Sequence, residues 1–169
     1  MEMPERRPAT LEEARAASNP LRLRILRLCL DEALTNRQLA DRLGRDPATV
    51  LHHVRTLVDT GFLAAEPVRR GARGAKEKPY RATGKSWTLE IGEERGRDLA
   101  VAIVDAFRDE LVESGDTDVT TTRLGVRLTA EDRQELVTRL EALAGEFKQR
   151  DDPSGEPVGI MFGVHRRRY

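Results

Sequence analysis

Residues 35–61, TNRQLADRLGRDPATVLHHVRTLVDTG, carry the pattern of two short helices joined by a tight turn. Thr35 is placed to cap the first helix, with Gln38 three residues on as its capping-box partner. Leu39, Ala40 and Leu43 give that helix one apolar face, and Gly44 stops it. The second helix starts near Pro47, a residue favoured at a first helical position because its missing N–H has no intrahelical partner there. Val50, Val54, Leu57 and Val58 recur at helical period as its buried face, and Gly61 closes it. Two helices of this length and spacing predict a helix-turn-helix, the second helix lying in the DNA major groove. The buried positions leave Ala48, Thr49, His52, Arg55 and Thr56 outward, as candidate base-reading residues. Thr49 and His52, three apart, point together. Ala48 and Thr49 are small enough to meet a thymine methyl, and His52 can donate to an acceptor such as guanine N7. Arg55 can reach a base or a phosphate. His53 borders the apolar face and is expected to pack, bonded to backbone or phosphate.

Phe62–Val68 after this stretch has the composition of a short strand, and Pro79–Thr83 that of its return partner. Pro67 and Pro79 argue against a fully paired central strand, so a two-stranded, edge-like hairpin is expected. Between the two lies RRGARGAKEK, Arg69 to Lys78, with five basic residues in ten and no apolar side chain larger than alanine. Such a tip cannot pack a core. It is either a solvated loop or a wing that reaches the phosphate backbone through Arg69, Arg70, Arg73, Lys76 and Lys78, with His53 beside them; its place directly after a recognition helix favours the wing.

Upstream, Thr10 and Glu13 form a capping box for a short helix striped by Leu11, Ala14 and Ala17, and residues 1–9 read as a loose polar leader. A second helix from Pro20 to about Asp31 is apolar over more than half its surface. Arg22, Arg24 and Arg27 leave its remaining face basic, for phosphate or for solvent. The single cysteine, Cys29, sits among leucines and is expected to be a buried thiol. Thr83-Gly84-Lys85-Ser86 lacks the GxxxxGK spacing of a phosphate loop, and Trp87 is expected to pack where this region meets the next helix.

Downstream, a long helix from about Gly92 to Ser114 carries a stripe of Leu99, Ile103, Ala106, Phe107 and Leu111, with Ala102 on the same face and Val101, Val104 and Val112 widening it. A face that broad suits either a subunit contact or packing against a second domain. Val119–Thr129 then alternates as a strand, Thr129 and Asp132 cap a helix to about Gln149, and Val158–Val164 alternates as a last strand. The fold class expected is α+β: a winged helix-turn-helix domain at residues 10–90, followed at 91–169 by a long helix and a small strand–helix–strand region. That region, used for dimerisation or for an effector, offers a pocket or an interface to a small molecule or a protein.

The overall formal charge is zero. Residues 1–90 hold 17 Lys+Arg against 12 Asp+Glu, net +5, and residues 91–169 hold 12 against 17, net −5. A basic half joined to an acidic half suits a polyanion-binding module attached to something else. Aromatics make up 4% of the chain, which implies a mostly aliphatic core. With one cysteine, no secretory leader and no apolar run of about 18 residues, a cytoplasmic protein without membrane contact is expected. Glu93, Glu94, Asp98, Asp105 and Asp109 supply carboxylates along one helix, but no nucleophile–base pair joins them, so no catalytic residues and no enzyme are expected.

The run NPLRLRIL from Asn19, then LTNRQLADRLG from Leu34 and TVLHHVRTLVDTGFL from Thr49, resembles the ArsR-like winged-helix transcriptional regulators over roughly residues 11–85. The resemblance implies a homodimer that places two recognition helices on a double-stranded DNA operator, usually as a repressor, with terminal helices forming the dimer. It aligns Thr49 and His52 with the positions that face DNA. Leu51 departs from the small polar residue usual there, which points to a methyl-reading or packing role and leaves the operator open. Metal-sensing members use paired cysteines in the helix before the turn, or Asp/His clusters on terminal helices. Here residues 36–43 contain no cysteine and the long helix no histidine, so no metal sensing and no cofactor are expected. The strand–helix–strand region resembles extensions carried by some relatives. The competing reading is a protein-interaction module built on a winged helix, without specific DNA binding. Three elements compete for the dimer contact: the helix near residues 10–18, the long helix, and the C-terminal sheet.

Overall fold

The computed structural model describes residues 6–71, 74–90, 92–115 and 119–167, without the side chains of residues 93–95. Arg73, the first five residues of the leader, residues 116–118 of the turn after the long helix and the Glu93 and Glu94 carboxylates lie outside that description. Contacts divide the chain into two compact units, one reaching to Val112 and the other starting at Glu113.

The first unit is built on four helices: α1 (Leu11–Ala17), α2 (Pro20–Asp31), α3 (Asn36–Leu43) and α4 (Pro47–Asp59). Their starts follow local chemistry. Thr10 and Glu13 form a full capping box on α1, and Thr35 and Gln38 form another on α3. Asn19 caps α2 by accepting from the Arg22 amide. Asp46 caps α4 by accepting from the amides of Ala48 and Thr49 at 2.9 and 3.1 Å, with Pro47 in the first helical position. Gly44 ends α3 at φ 58, a left-handed conformation that costs an L-residue about 1–2 kcal/mol, while its amide bonds back to Ala40 and Asp41.

The core is aliphatic apart from Phe62. Ile25, Leu34, Leu39, Val50, Val54, Leu57 and Cys29 are fully buried where α2, α3 and α4 converge. Burial raises the Cys29 thiol to about 11, so it stays a packed, protonated group.

The sheet differs from a two-stranded hairpin. Three strands pair antiparallel in the order β2–β6–β3: Leu34–Thr35, Pro79–Ala82 and Leu63–Ala65. The return strand is therefore the central one. Pro79 is tolerated because it is the first residue of β6, where its missing N–H costs little of the ladder. A separate two-residue ladder, β4 (Arg69–Arg70) with β5 (Lys76–Glu77), forms the stem of the wing. Residues 7–9 are not loose: β1 (Arg7–Pro8) pairs parallel with β7 (Leu89–Glu90), and the Ala9 amide donates to Glu90 O. Trp87, on a 3-10 turn over Lys85–Thr88, is 41% exposed, and the buried Leu89 packs into the core instead.

Helix α5 spans Glu93–Ser114. Leu99 packs against the core of the first unit, Ala102 and Ala106 are buried, and Phe107 and Leu111 are half-buried. Ile103, Val101 and Val104 stand 39–54% exposed.

In the second unit, Thr129 and Asp132 cap α6 (Ala130–Gln149) in a capping box. The strands expected at 119–129 and 158–164 are not formed; both segments are irregular. Their alternation is real, but a strand exists only when a neighbour takes its backbone hydrogen bonds, and a lone two-stranded pair is marginal. Among the described residues, no helix is long and apolar enough to cross a membrane.

Candidate nucleic-acid interface

Tertiary contacts of the first turn of α3 bring the first turn of α4 and the base of the wing together. Asn36, opening α3, donates from Nδ2 to the Pro47 carbonyl at 2.9 Å and fixes the two helix starts together. Gln38 serves the capping box through Oε1, which accepts from the Thr35 amide at 2.9 Å, and the same oxygen accepts from Arg69 at 3.4 Å. Arg69 also meets Glu77 across the β4–β5 stem at 3.3 Å. The first turn of α3 therefore touches both the recognition helix and the wing. Sequence reasoning assigned Gln38 only its cap and gave Asn36 no role. Contacts between distant segments leave no periodic signal in a sequence.

On α4, Ala48, Thr49, His52 and Arg55 are exposed, and Leu51 is half-buried. Thr56 is half-buried, its hydroxyl turned back to donate to the His52 carbonyl at 3.2 Å. His53 is half-buried beside His52, their rings edge-to-face at 5.5 Å. Its Nδ1 is buried without a hydrogen-bond partner, and burial, with help from Arg22 and His52, lowers its pKa.

On the wing, Arg69, Arg70 and Lys76 are exposed on the two-stranded stem, and Lys78 lies 5.8 Å from the centre of the Tyr80 ring. Gly74 turns the tip at φ 78, and Gly71 is packed so closely on Glu77 that a Cβ there would collide with its carboxylate. The stem is thus short but specified. The basic face expected on α2 is not a free surface: Arg24 is 5% exposed, and Arg22 donates to the Ala16 and Arg15 carbonyls at the end of α1, both at 2.7 Å.

Lys85, which belongs to no phosphate loop, is a staple. Its Nζ donates to the Thr60 carbonyl at the end of α4 at 2.5 Å and meets the buried Glu13 carboxylate at 2.7 Å. Glu13 also holds Arg7 at 2.6 Å, so its pKa falls far below the carboxylate range, through the Arg7 hydrogen bonds first and Lys85 second. Among the described residues, no group of three or more His, Cys, Asp or Glu side chains is placed to hold a metal ion.

Residues 17–70 match the family model for a helix-turn-helix domain, and the geometry of α3, α4 and the β4–β5 stem makes this a winged helix-turn-helix. Among solved structures, the chain is similar to reduced HlyU from Vibrio cholerae at 21% identity, covering 56% of this chain and 81% of that one, with a TM-score of 0.36. It is similar to a mutant of Lactococcus lactis ZitR in apo form at 21% identity, 77% and 83% coverage and a TM-score of 0.35. The homodimeric winged helix-turn-helix DNA-binding domain of Mb0332 from Mycobacterium bovis shares 24% identity, 62% and 82% coverage and a TM-score of 0.34. A comparison with curated proteins finds no match.

Proposed function

We propose that this chain is a sequence-specific, DNA-binding transcriptional regulator of the ArsR-like winged-helix kind, a homodimeric repressor that works in the cytoplasm and does not sense metal. The observation that carries the reading is the continuity between recognition helix and wing through Asn36 and Gln38. An outward helix face of small, hydrogen-bonding residues reads bases, and a basic stem beside it holds phosphates. Thr49 and His52 carry the specificity, with Ala48, Arg55 and Thr56 as neighbours, and Arg69, Arg70, Arg73, Lys76 and Lys78 carry the sequence-independent affinity.

Leu99, Ile103, Ala106, Phe107 and Leu111 of α5 define the dimer stripe of this reading. Leu99 packs on the core of the first unit and Ala106 is buried, and Ile103 with its exposed neighbours Val101 and Val104 offers the apolar surface to the partner. An effector, small molecule or protein, acts through the C-terminal unit. Catalysis has no part in this function.

The test is a gel-shift titration of the full chain on its own upstream DNA and on random duplexes of equal length. Binding to the upstream fragment that is tighter by about a thousandfold or more, as in the specificity ratios of about 10³–10⁷ typical of regulators, supports the reading. Equal, weak binding to both, or none, returns the winged helix to a protein-interaction role.

A further inference from the structure

The Thr83-Gly84-Lys85 run, which lacks the spacing of a phosphate loop, closes instead on the end of the recognition helix. The Thr83 hydroxyl donates to the Gly61 carbonyl at 2.8 Å, and the Lys85 ammonium donates to the Thr60 carbonyl at 2.5 Å. A Cβ on Gly61 would sit 3.2 Å from that ammonium, so the turn after α4 is shaped around it. A cation on a terminal carbonyl also suits the negative end of a helix. Lys85 is held in turn. Its ammonium meets the Glu13 carboxylate at 2.7 Å, and that buried carboxylate also accepts from the Arg7 guanidinium and the Thr10 amide.

We propose that Lys85 is a positioning residue for DNA reading, a role that rests on α4 being the recognition helix: its ammonium sets the C-terminal end of α4, and Glu13 sets Lys85. Asn36 anchors the other end through the Pro47 carbonyl. Across the 13 residues of α4 the two anchors lie roughly 20 Å apart. Two fixed ends define an axis, whereas one fixed end leaves a pivot. Released at Thr60, α4 rocks about Pro47, which shifts His52 and Arg55 more than Ala48 and Thr49. The wing has its own tie, from Arg69 to Gln38. Loss of the Lys85 contact therefore acts on base reading and spares the phosphate contacts. The route from Glu13 to α4 runs through Lys85, so the two residues act in series.

Glu13→Gln and Lys85→Met, alone and together, test this. Glutamine keeps the capping box of α1, and in Lys85→Met the Glu13 carboxylate keeps Arg7 and the Thr10 amide. The first measurement is hydrogen exchange without DNA, read at the Thr60, Gly61 and Phe62 amides that close α4. Each single variant should speed these about tenfold more than the amides of α2, whose rates report the stability of the whole first unit. The double variant should match Lys85→Met. In gel shifts, each variant should bind the upstream fragment about tenfold more weakly, a loss within the range of coupled networks. Affinity for random duplexes and the salt slope should stay at wild-type values. Rates at residues 60–62 that merely follow α2, or single effects that add in the double variant, overturn the relay. Loosened amides with an unchanged preference for upstream DNA overturn the positioning role. A wild-type chain that binds both DNAs equally removes the DNA reading, and exchange still decides whether Glu13 sets α4 through Lys85.

Discussion

Lys85 ties the end of the recognition helix to the start of the chain, holding the Thr60 carbonyl, the Glu13 carboxylate and, at 5.4 Å from its centre, the Phe62 ring. Glu13 is the buried charge in this group, and its pKa is depressed in the folded state. The stability it contributes is therefore present above the ordinary carboxylate range and is lost as pH falls through and below it. His53 has the same sign for a different cause: burial favours its neutral form, so stability is lost as pH drops below about 6.5, the value for an unperturbed histidine. Thermal melts between pH 8 and 3 should show two separate losses. His53→Gln should flatten the first, above pH 5, and Glu13→Gln the second, below it. A single loss insensitive to both substitutions would remove these two groups from the acid response. Glu13 and Lys85 were each visible in the sequence, one as a helix cap and the other as a residue in a rejected motif. Their pairing was not, because 72 positions separate them and nothing local records it.

Elements whose causes are local were legible. Thr35 with Gln38, Pro47 at a first helical position and Gly44 after Leu43 fix α3 and α4 within one residue of their observed bounds, because caps and stops act over three or four residues. Asp46→Ala should lower stability by about 1 kcal/mol in a urea titration, the usual cost of losing a cap, and should also weaken DNA binding by freeing the first turn of α4. Leu57→Ala, at a fully buried position, should cost about 2–5 kcal/mol and broaden the whole first unit's unfolding. An effect below the lower bound would mean that the site collapses to fill the void. The strands were less legible. β2 is two residues that the helix pattern absorbed, and β6 was placed at an edge because of Pro79. The segments at 119–129 and 158–164 show the converse: a pattern of period 2 states what a strand needs, not that a partner is present in the same chain.

At the scale of the molecule, Arg69, Arg70 and Lys76 stand exposed on the wing stem and Arg55 on the outward face of α4, while on α2 Arg22 is spent on α1 carbonyls and Arg24 is buried. The exposure of Ala48, Thr49, His52 and Arg55 was predictable residue by residue because exposure on a helix follows from its buried face, whereas Thr56 is half-buried. What joins it to the wing was not predictable, since Asn36–Pro47 and Gln38–Arg69 are tertiary contacts. The division of labour between the two parts is the central claim, and binding affinity against salt for three proteins tests it most directly. Arg69→Ala/Arg70→Ala should weaken binding to upstream and random DNA alike and reduce the slope of log K against log salt by about 1 for each phosphate no longer neutralised. Thr49→Ala/His52→Ala should keep the wild-type slope and lose the preference for upstream DNA. Unchanged affinity and slope in the wing variant, together with unchanged preference in the helix variant, would contradict the account.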